Sequence, residues 1–154
     1  MLFRSYSLIR KLIEVGGATP QTQLDGRNLY EQLLIPTRIY VKSLLALMQA
    51  MPVHGLAHIT GGGLTDNIPR VLREGLEARL QRQRWPSMAV FDWLARTGKM
   101  AAAQMYRTFN CGIGMIAIVA SERADEAIRF LTQHGEQAMR IGEVQHGTRG
   151  VVIE

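Results

Sequence analysis

Three consecutive glycines, Gly61-Gly62-Gly63, separate a short apolar run from a segment of helical period, and they constrain the fold more tightly than anything else in the chain. Glycine has no Cβ to close off positive φ and loses the most backbone freedom on ordering, so neither a strand nor a helix runs comfortably through a triplet of them. Before the triplet, Val53 to Ile59 is apolar and short and reads as a buried strand; after it, Asp66 to Arg73 reads as a helix. A strand, a glycine turn and a helix in succession form a unit of layered architecture. The turn also leaves backbone amides unshielded, free to converge on an anion. Two readings follow, a phosphate cradle or a flexible strand-to-helix connection. The spacing fits neither GxGxxG nor GxxxxGK followed by Ser or Thr, so neither a Rossmann nor a Walker loop is indicated.

The rest of the chain supplies the layers. Leu8, Ile9, Leu12 and Ile13 recur at helical spacing over Ser7 to Val15, stopped by Gly16-Gly17. A polar connection through Pro20, Asp25, Gly26 and Arg27 leads to a short apolar turn, Leu29 to Leu34, ended by Pro36. Val41 to Met51 reads as a helix with Val41, Leu44, Leu45 and Met48 on its apolar face, closed by Pro52. Leu76, Ala78 and Leu80 alternate with Glu77, Arg79 and Gln81 as in a half-exposed strand, and a helix runs from Pro86 to Gly98. Gly112 to Ala120 reads as a buried strand, Arg123 to His134 as a helix stopped by Gly135, and Ala138 to Val144 and Arg149 to Ile153 as a terminal pair of strands about a turn at Gly147. The expectation is an α+β or mixed α/β layered domain without internal repeat or linker.

At 154 residues with 47% hydrophobic and 20% charged content, the chain can bury a core without staples. The single Cys111 rules out an internal disulfide and, with four histidines, argues against a zinc module and for a reducing compartment. The longest apolar run, Cys111 to Ala120, falls far short of the roughly 20 residues of a membrane span. Met1-Leu2-Phe3-Arg4 leads into an amphipathic pattern and not a signal-peptide core, so a cytoplasmic, non-membrane protein is expected. Eighteen Lys+Arg against 13 Asp+Glu give +5, a charge that attracts nucleic acid or phosphorylated metabolites. The local cluster Arg79, Arg82, Arg84 is interleaved by no aromatic except Trp85, and it reads as a solvated face before it reads as a nucleic-acid patch.

Chemistry concentrates in two places. His58 closes the strand beside the glycine turn, where an imidazole can bind phosphate or move a proton near neutral pH, or serve structure alone. Arg38 with Thr37, and Arg70 beyond the turn, can give directional contacts to phosphate or carboxylate, or form surface ion pairs. In Tyr106 to Met115, Gly112 and Gly114 would share a strand face, implying the close approach of another backbone or a ligand, or else close helix packing. Cys111 has no neighbouring lysine and reads as a buried, inert thiol. His54, His134 and His146 lack ligand spacing and read as turn or surface residues.

Three segments then resemble a known family. Pro36-Thr37-Arg38-Ile39-Tyr40-Val41-Lys42-Ser43, Ala57-His58-Ile59-Thr60-Gly61-Gly62-Gly63-Leu64 with Asn67-Ile68-Pro69-Arg70, and Met105-Tyr106-Arg107-Thr108-Phe109-Asn110-Cys111-Gly112-Ile113-Gly114-Met115 occur in the order and spacing of the AIR synthetases, the phosphoribosylformylglycinamidine cyclo-ligases. The similarity runs from about Ser7 to the terminal Val151-Val152-Ile153-Glu154 and covers only the family's C-terminal domain. It implies one domain over residues 1–154, a three-layer α/β/α arrangement with a mixed β-sheet. Nothing here matches the family's N-terminal domain, which supplies acidic metal-binding residues, a lysine-bearing glycine-rich segment and the dimer interface. Where the family reads His-Ser-Asn-Gly before Tyr-Ser-Leu, this chain reads Phe3-Arg4-Ser5 before Tyr6-Ser7-Leu8, so ligand contacts of that motif are not carried over.

The reaction the resemblance implies belongs to de novo purine biosynthesis. ATP and magnesium activate the formyl-amide oxygen of formylglycinamidine ribonucleotide as a phosphate ester, and an amidine nitrogen closes the imidazole ring, giving aminoimidazole ribonucleotide, ADP and phosphate. In these terms Thr60, Gly61, Gly62 and Gly63 form the phosphate-facing loop and His58 polarises or transfers a proton at ring closure. Thr37 and Arg38 are further ligand candidates, Asn67 and Arg70 orient the loop or contact ligand, and Asn110, Gly112 and Gly114 line the cleft floor. None is a metal ligand. ATP and magnesium are expected to serve the complete enzyme without binding tightly to this domain, whose partners are the ribonucleotide substrate and the missing N-terminal domain of a family homodimer. The net charge then needs no nucleic acid to explain it. The isolated domain, excised or the product of a truncated gene, is expected to be inactive alone. The alternatives are a nucleotide-phosphate-binding module or partner subunit without catalysis, and another ATP-using relative such as a selenophosphate synthetase, thiamine-monophosphate kinase or hydrogenase maturation protein; the Thr-Arg-Ile-Tyr and His-Ile-Thr-Gly-Gly-Gly strings argue against the last.

Overall fold

The structure, a computed structural model, describes residues 4–154, with side chains from Tyr6 onward. The readings that fall on Met1, Leu2 and Phe3 lie outside the described residues. Helix α1 (Arg4–Val15) precedes a small hairpin of β1 (Gln23–Leu24) and β2 (Arg27–Asn28), then α2 (Leu29–Leu33) and α3 (Val41–Ala50). Strand β3 (Gly55–His58) runs through the glycine turn into α4 (Gly63–Asn67), which tightens into a 3-10 turn over Ile68–Val71. There follow β4 (Leu76–Leu80), α5 (Ala89–Gly98), α6 (Ala102–Thr108), β5 (Met115–Ile118), α7 (Ala124–Gln133), β6 (Gly142–His146) and β7 (Gly150–Ile153).

Strand β3 pairs antiparallel with β5, Ala57 opposite Ile116 and His58 opposite Met115. A three-stranded sheet of order β6-β4-β7 is mixed, β4 being antiparallel to β6 and parallel to β7. Because side chains alternate across a strand, β3 and β5 serve two cores. Ala57 and Ile59 pack with Leu64, Ile68, Leu72, Trp85 and Ile113 on one side, while Ala117 and Val119 meet Leu47, Met51 and Ala127 of the α3 and α7 region on the other. Helices α3 and α7 thus cover one face of the β3–β5 pair, while on the other α4 and its 3-10 turn share the core with Ala78 and Leu80 of β4, so the α+β class expected is found and the second layer on that side is partly a sheet. A third cluster, Leu12, Leu94, Met105, Phe109 and Cys111, ties α1, α5 and α6 together. Among the described residues no helix is long and apolar enough to cross a membrane.

The structure departs from the sequence reading at several points. Helix α3 is apolar on more than one side, and the face chosen was the wrong one: Val41, Leu45 and Met48 are exposed, whereas Ser43 and Leu47 are buried. Ser43 can turn inward because its hydroxyl is satisfied, 2.7 Å from Glu136 Oε1 and 3.0 Å from the Tyr40 carbonyl. Helix α6 was not anticipated; within it only Met105 is buried, too little to print a period on the sequence. The strand expected over 138–144 begins at Gly142, since β4 ends at Leu80 and Leu80 faces Gly142, leaving the preceding residues no strand to pair with. Nor do β6 and β7 pair with each other; they flank β4. Finally, β5 starts only at Met115, so Gly112 and Gly114 do not share a strand face.

Candidate functional site

The glycine turn is built by three residues with three different jobs. Gly63 has φ +57°, and a Cβ there would lie 2.0 Å from the Tyr106 carbonyl oxygen and 2.6 Å from that of Phe109, so the end of α6 packs directly on its Cα. Gly62 has φ +102°, and its Cβ would meet that of Asp66 at 2.8 Å. Around Gly61 the corresponding space is open. Gly63 N donates to Thr60 O at 3.0 Å and Asp66 N to Gly62 O at 3.1 Å; the amides of Gly61 and Gly62 take no part in the backbone bonds of turns and loops among the described residues. Asn67 is buried and clamps the turn from beneath, its amide nitrogen 2.8 Å from Gly63 O and 3.4 Å from Thr60 O and Gly61 O. Removing that clamp takes the side-chain donor from the buried Gly63 carbonyl, so Asn67→Ala is expected to cost about 1–3 kcal/mol, read as a shift in the denaturant midpoint.

Electrostatically the turn is mixed. Arg107 Nε lies 3.8 Å from Asp66 Oδ1, with both groups largely in solvent. An anion at the turn would compete with the Asp66 carboxylate for Arg107. Neither residue was singled out from the sequence, although Arg107 stands inside a motif that was. His58 and Thr60 are exposed at the end of β3 beside the turn. Arg70 is exposed in the 3-10 turn beyond Asn67 and makes no hydrogen bond or ion pair with the glycines among the described residues.

The remaining candidates gather elsewhere. A cavity of about 660 Å3, two strand edges forming part of its wall, is lined among others by Arg38, Tyr40, Trp85, Gly112, Gly114 and Glu136, and not by His58 or the glycine turn. Arg38 is committed to structure there: Nε sits 2.7 Å from Glu136 Oε2, and Nη2 donates to the Gly135 carbonyl. Thr37 is exposed in the segment before it. Asn110 spends its side chain on its own turn, Oδ1 accepting from Gly112 N at 3.2 Å, while Cys111 (φ +49°) and Gly112 (φ +93°) turn the chain. What approaches Gly114 is a side chain, where the sequence suggested another backbone or a ligand: a Cβ at Gly114 would lie 1.9 Å from the Tyr40 hydroxyl. Tyr40 in turn meets His58 edge to face, ring centroids 6.0 Å apart, and so links the two groups of candidates. Its phenol is pushed above the ordinary range first by burial and then by Glu136, against the opposing pull of Arg38.

Cys111 is buried, and burial pushes its thiol up to about 11, with Arg82 opposing and Asp92 reinforcing the shift. At pH 8 the folded chain is therefore expected to react with a thiol-specific disulfide reagent about 100-fold more slowly than the unfolded chain, whose thiol has a pKa of about 8.5. Because the folded state holds this proton longer, the associated stability is complete below about pH 8.5 and is lost as pH rises through about 11. The arginine cluster is partly structural: Arg79 pairs with Glu154, and Arg82 donates to the Trp85 carbonyl at 2.7 Å while lying 5.0 Å over its ring. His54, His134 and His146 are exposed and separate.

Relatives share this arrangement of sequence over nearly the whole chain. A protein from Burkholderia ambifaria (strain MC40-6) named phosphoribosylformylglycinamidine cyclo-ligase is 54% identical over 145 residues, 94% of this chain. One of the same name from Paraburkholderia phymatum is 53% identical over 145 residues. In both cases the match takes up only 41% of the relative's length. Residues 3–154 match the family described as AIR synthase related protein, C-terminal domain. The chain belongs to that family of C-terminal domains.

Proposed function

We propose that this chain is the substrate-facing C-terminal half of a phosphoribosylformylglycinamidine cyclo-ligase, holding the ribonucleotide while the rest of the enzyme supplies the nucleotide and metal machinery. The observation that carries the reading is the glycine turn: the Gly61 and Gly62 amides have no partner in the surrounding turns among the described residues, the space at Gly61 is open, and the buried Asn67 holds the turn through the Gly63 carbonyl. Fixed amides that converge on a phosphate need no reorganisation when it arrives. Support also comes from the names and identities of the relatives.

In this reading His58, at the rim of the turn, polarises the substrate or carries a proton as the ring closes, a task suited to an imidazole near neutral pH. Arg107 contributes positive charge beside the phosphate, and Thr60 borders the loop. Arg38 and Gly114 act at one remove, through Tyr40, whose ring stands against His58, while Gly112 belongs to the wall of the neighbouring cavity. Among the described residues no three of His, Cys, Asp or Glu come together as a metal site, so the residues present do not fit magnesium by themselves and no step is routed through it. When bound to the complete enzyme, ATP supplies the phosphoryl group that activates the amide oxygen. The exposed apolar side chains Leu34, Ile35, Ile39, Val41, Leu45 and Met48 offer the surface on which the remainder of such an enzyme would pack, within a cytoplasmic pathway.

The test is calorimetric titration of the purified chain with formylglycinamidine ribonucleotide, with and without MgATP, beside an assay for aminoimidazole ribonucleotide. Saturable binding that Gly61→Ala weakens, without product, is the expected result. Steady turnover by the chain alone would refute the half-site reading, and no binding at millimolar ligand would remove the phosphate-cradle assignment.

A further inference from the structure

We infer that Tyr40 is a positioning residue for His58, seated where Gly114 has no side chain and braced by the Arg38, Glu136 and Ser43 network. The inference rests on the reading of His58 as a working group in the proposed site. His58 stands exposed at the last position of β3 and makes no hydrogen bond or ion pair among the described residues, so its own surroundings leave its rotamer open. The Tyr40 ring supplies the missing constraint, meeting the imidazole at 6.0 Å between centroids and 73° between planes, the edge-to-face geometry that aromatic quadrupoles favour.

Tyr40 is itself held at three points. Its hydroxyl rests on Gly114, where a Cβ would stand 1.9 Å from the oxygen and 3.0 Å from the ring carbon that bears it. Gly114 is fixed relative to β3 because its carbonyl accepts from Ile59 N at 2.9 Å, one residue past His58. The Tyr40 carbonyl lies 3.0 Å from the Ser43 hydroxyl, which also reaches Glu136 Oε1 at 2.7 Å. Arg38, two residues earlier, is tied to the other oxygen of the same carboxylate at 2.7 Å and to the Gly135 carbonyl. Glu136 thus anchors the segment on both sides of Tyr40, and its side chain is 14% exposed, so the pairing is sheltered from solvent. The hydroxyl of Tyr40 makes no hydrogen bond among the described residues, so the ring is placed by shape and by its backbone.

This geometry predicts a pattern that simple packing does not. In isotope-labelled protein, nuclear Overhauser contacts between the Tyr40 and His58 rings are expected in the wild type and in Tyr40→Phe, which keeps the ring. Tyr40→Ala is expected to lose them and to move the His58 ring signals toward those of an unstructured peptide. Gly114→Ala, far from His58 along the side chain, is expected to do the same by evicting the hydroxyl. Adding Tyr40→Phe to Gly114→Ala is expected to restore part of the contact, since the closest remaining atom is 3.0 Å away and not 1.9 Å. Unchanged His58 signals in both Tyr40→Ala and Gly114→Ala would overturn the inference, as would a loss in Tyr40→Phe equal to that in Tyr40→Ala. Should the alanine variants fail to fold, the wild-type spectrum decides, because absence of the ring-to-ring contact there is equally fatal. None of these signals depends on turnover, so an inactive role for His58 would leave them intact and would be detected separately by the His58→Ala assay.

Discussion

Gly63→Ala is expected to destabilise the chain by about 2–5 kcal/mol, a large part of the stability of a domain of this size. The estimate combines two costs. Alanine held at φ +57° pays about 1–2 kcal/mol for the left-handed conformation, and forcing a methyl into backbone already in contact costs about 1–3 kcal/mol. Here the obstacle is the Tyr106 carbonyl oxygen at 2.0 Å, which belongs to α6 and cannot rotate away as a side chain would. Gly61→Ala, two residues earlier, meets nothing within 4 Å and is expected to change stability by less than about 0.5 kcal/mol. Denaturant melts of the two variants check this directly: equal midpoints would mean that the end of α6 does not pack on the turn. The contrast separates the glycine that answers to packing, Gly63, from the one whose surroundings are open, Gly61.

His58→Ala carries the second large effect, in turnover and not in stability. In a two-domain fusion that joins this chain to the preceding part of the Burkholderia ambifaria relative, the substitution is expected to lower kcat by about 100- to 10,000-fold, the usual contribution of a positioned acid or base. Because His58 is exposed and makes no hydrogen bond among the described residues, the denaturation midpoint should stay within about 0.5 kcal/mol of wild type. Wild-type turnover in that variant would sink the assignment. A loss confined to KM would move His58 from chemistry to binding.

Much of this was legible in the chain because it rests on local rules. The stop at Gly16-Gly17, the end of α3 before Pro52 and the strand before the glycine turn follow from backbone conformations that few residues can adopt. The inert Cys111 followed from its neighbours, and its raised thiol agrees. Hydropathy ranks Ser43 below Leu45 wherever they stand, yet Ser43 is buried, its hydroxyl satisfied by the Tyr40 carbonyl and by Glu136, 93 residues away. For Arg38 the sequence left open a ligand contact or a surface ion pair, and the structure holds the ion pair, with a partner just past the end of α7 that no local pattern could name.

The sequence by itself determined where the chain must turn, which segments had to be buried, and that a strand, a glycine turn and a helix stand in succession at His58 to Asn67, since these depend on φ, side-chain volume and hydrophobic period within a few residues. Only the tertiary structure decided which glycine was needed for packing, which arginine was already paired, and that Tyr40 reaches across to meet both Gly114 and His58. Those outcomes depend on distances between residues far apart in the chain, set by how α6 docks on α4 and how the segment before α3 is tied to the end of α7, and no local pattern encodes such distances.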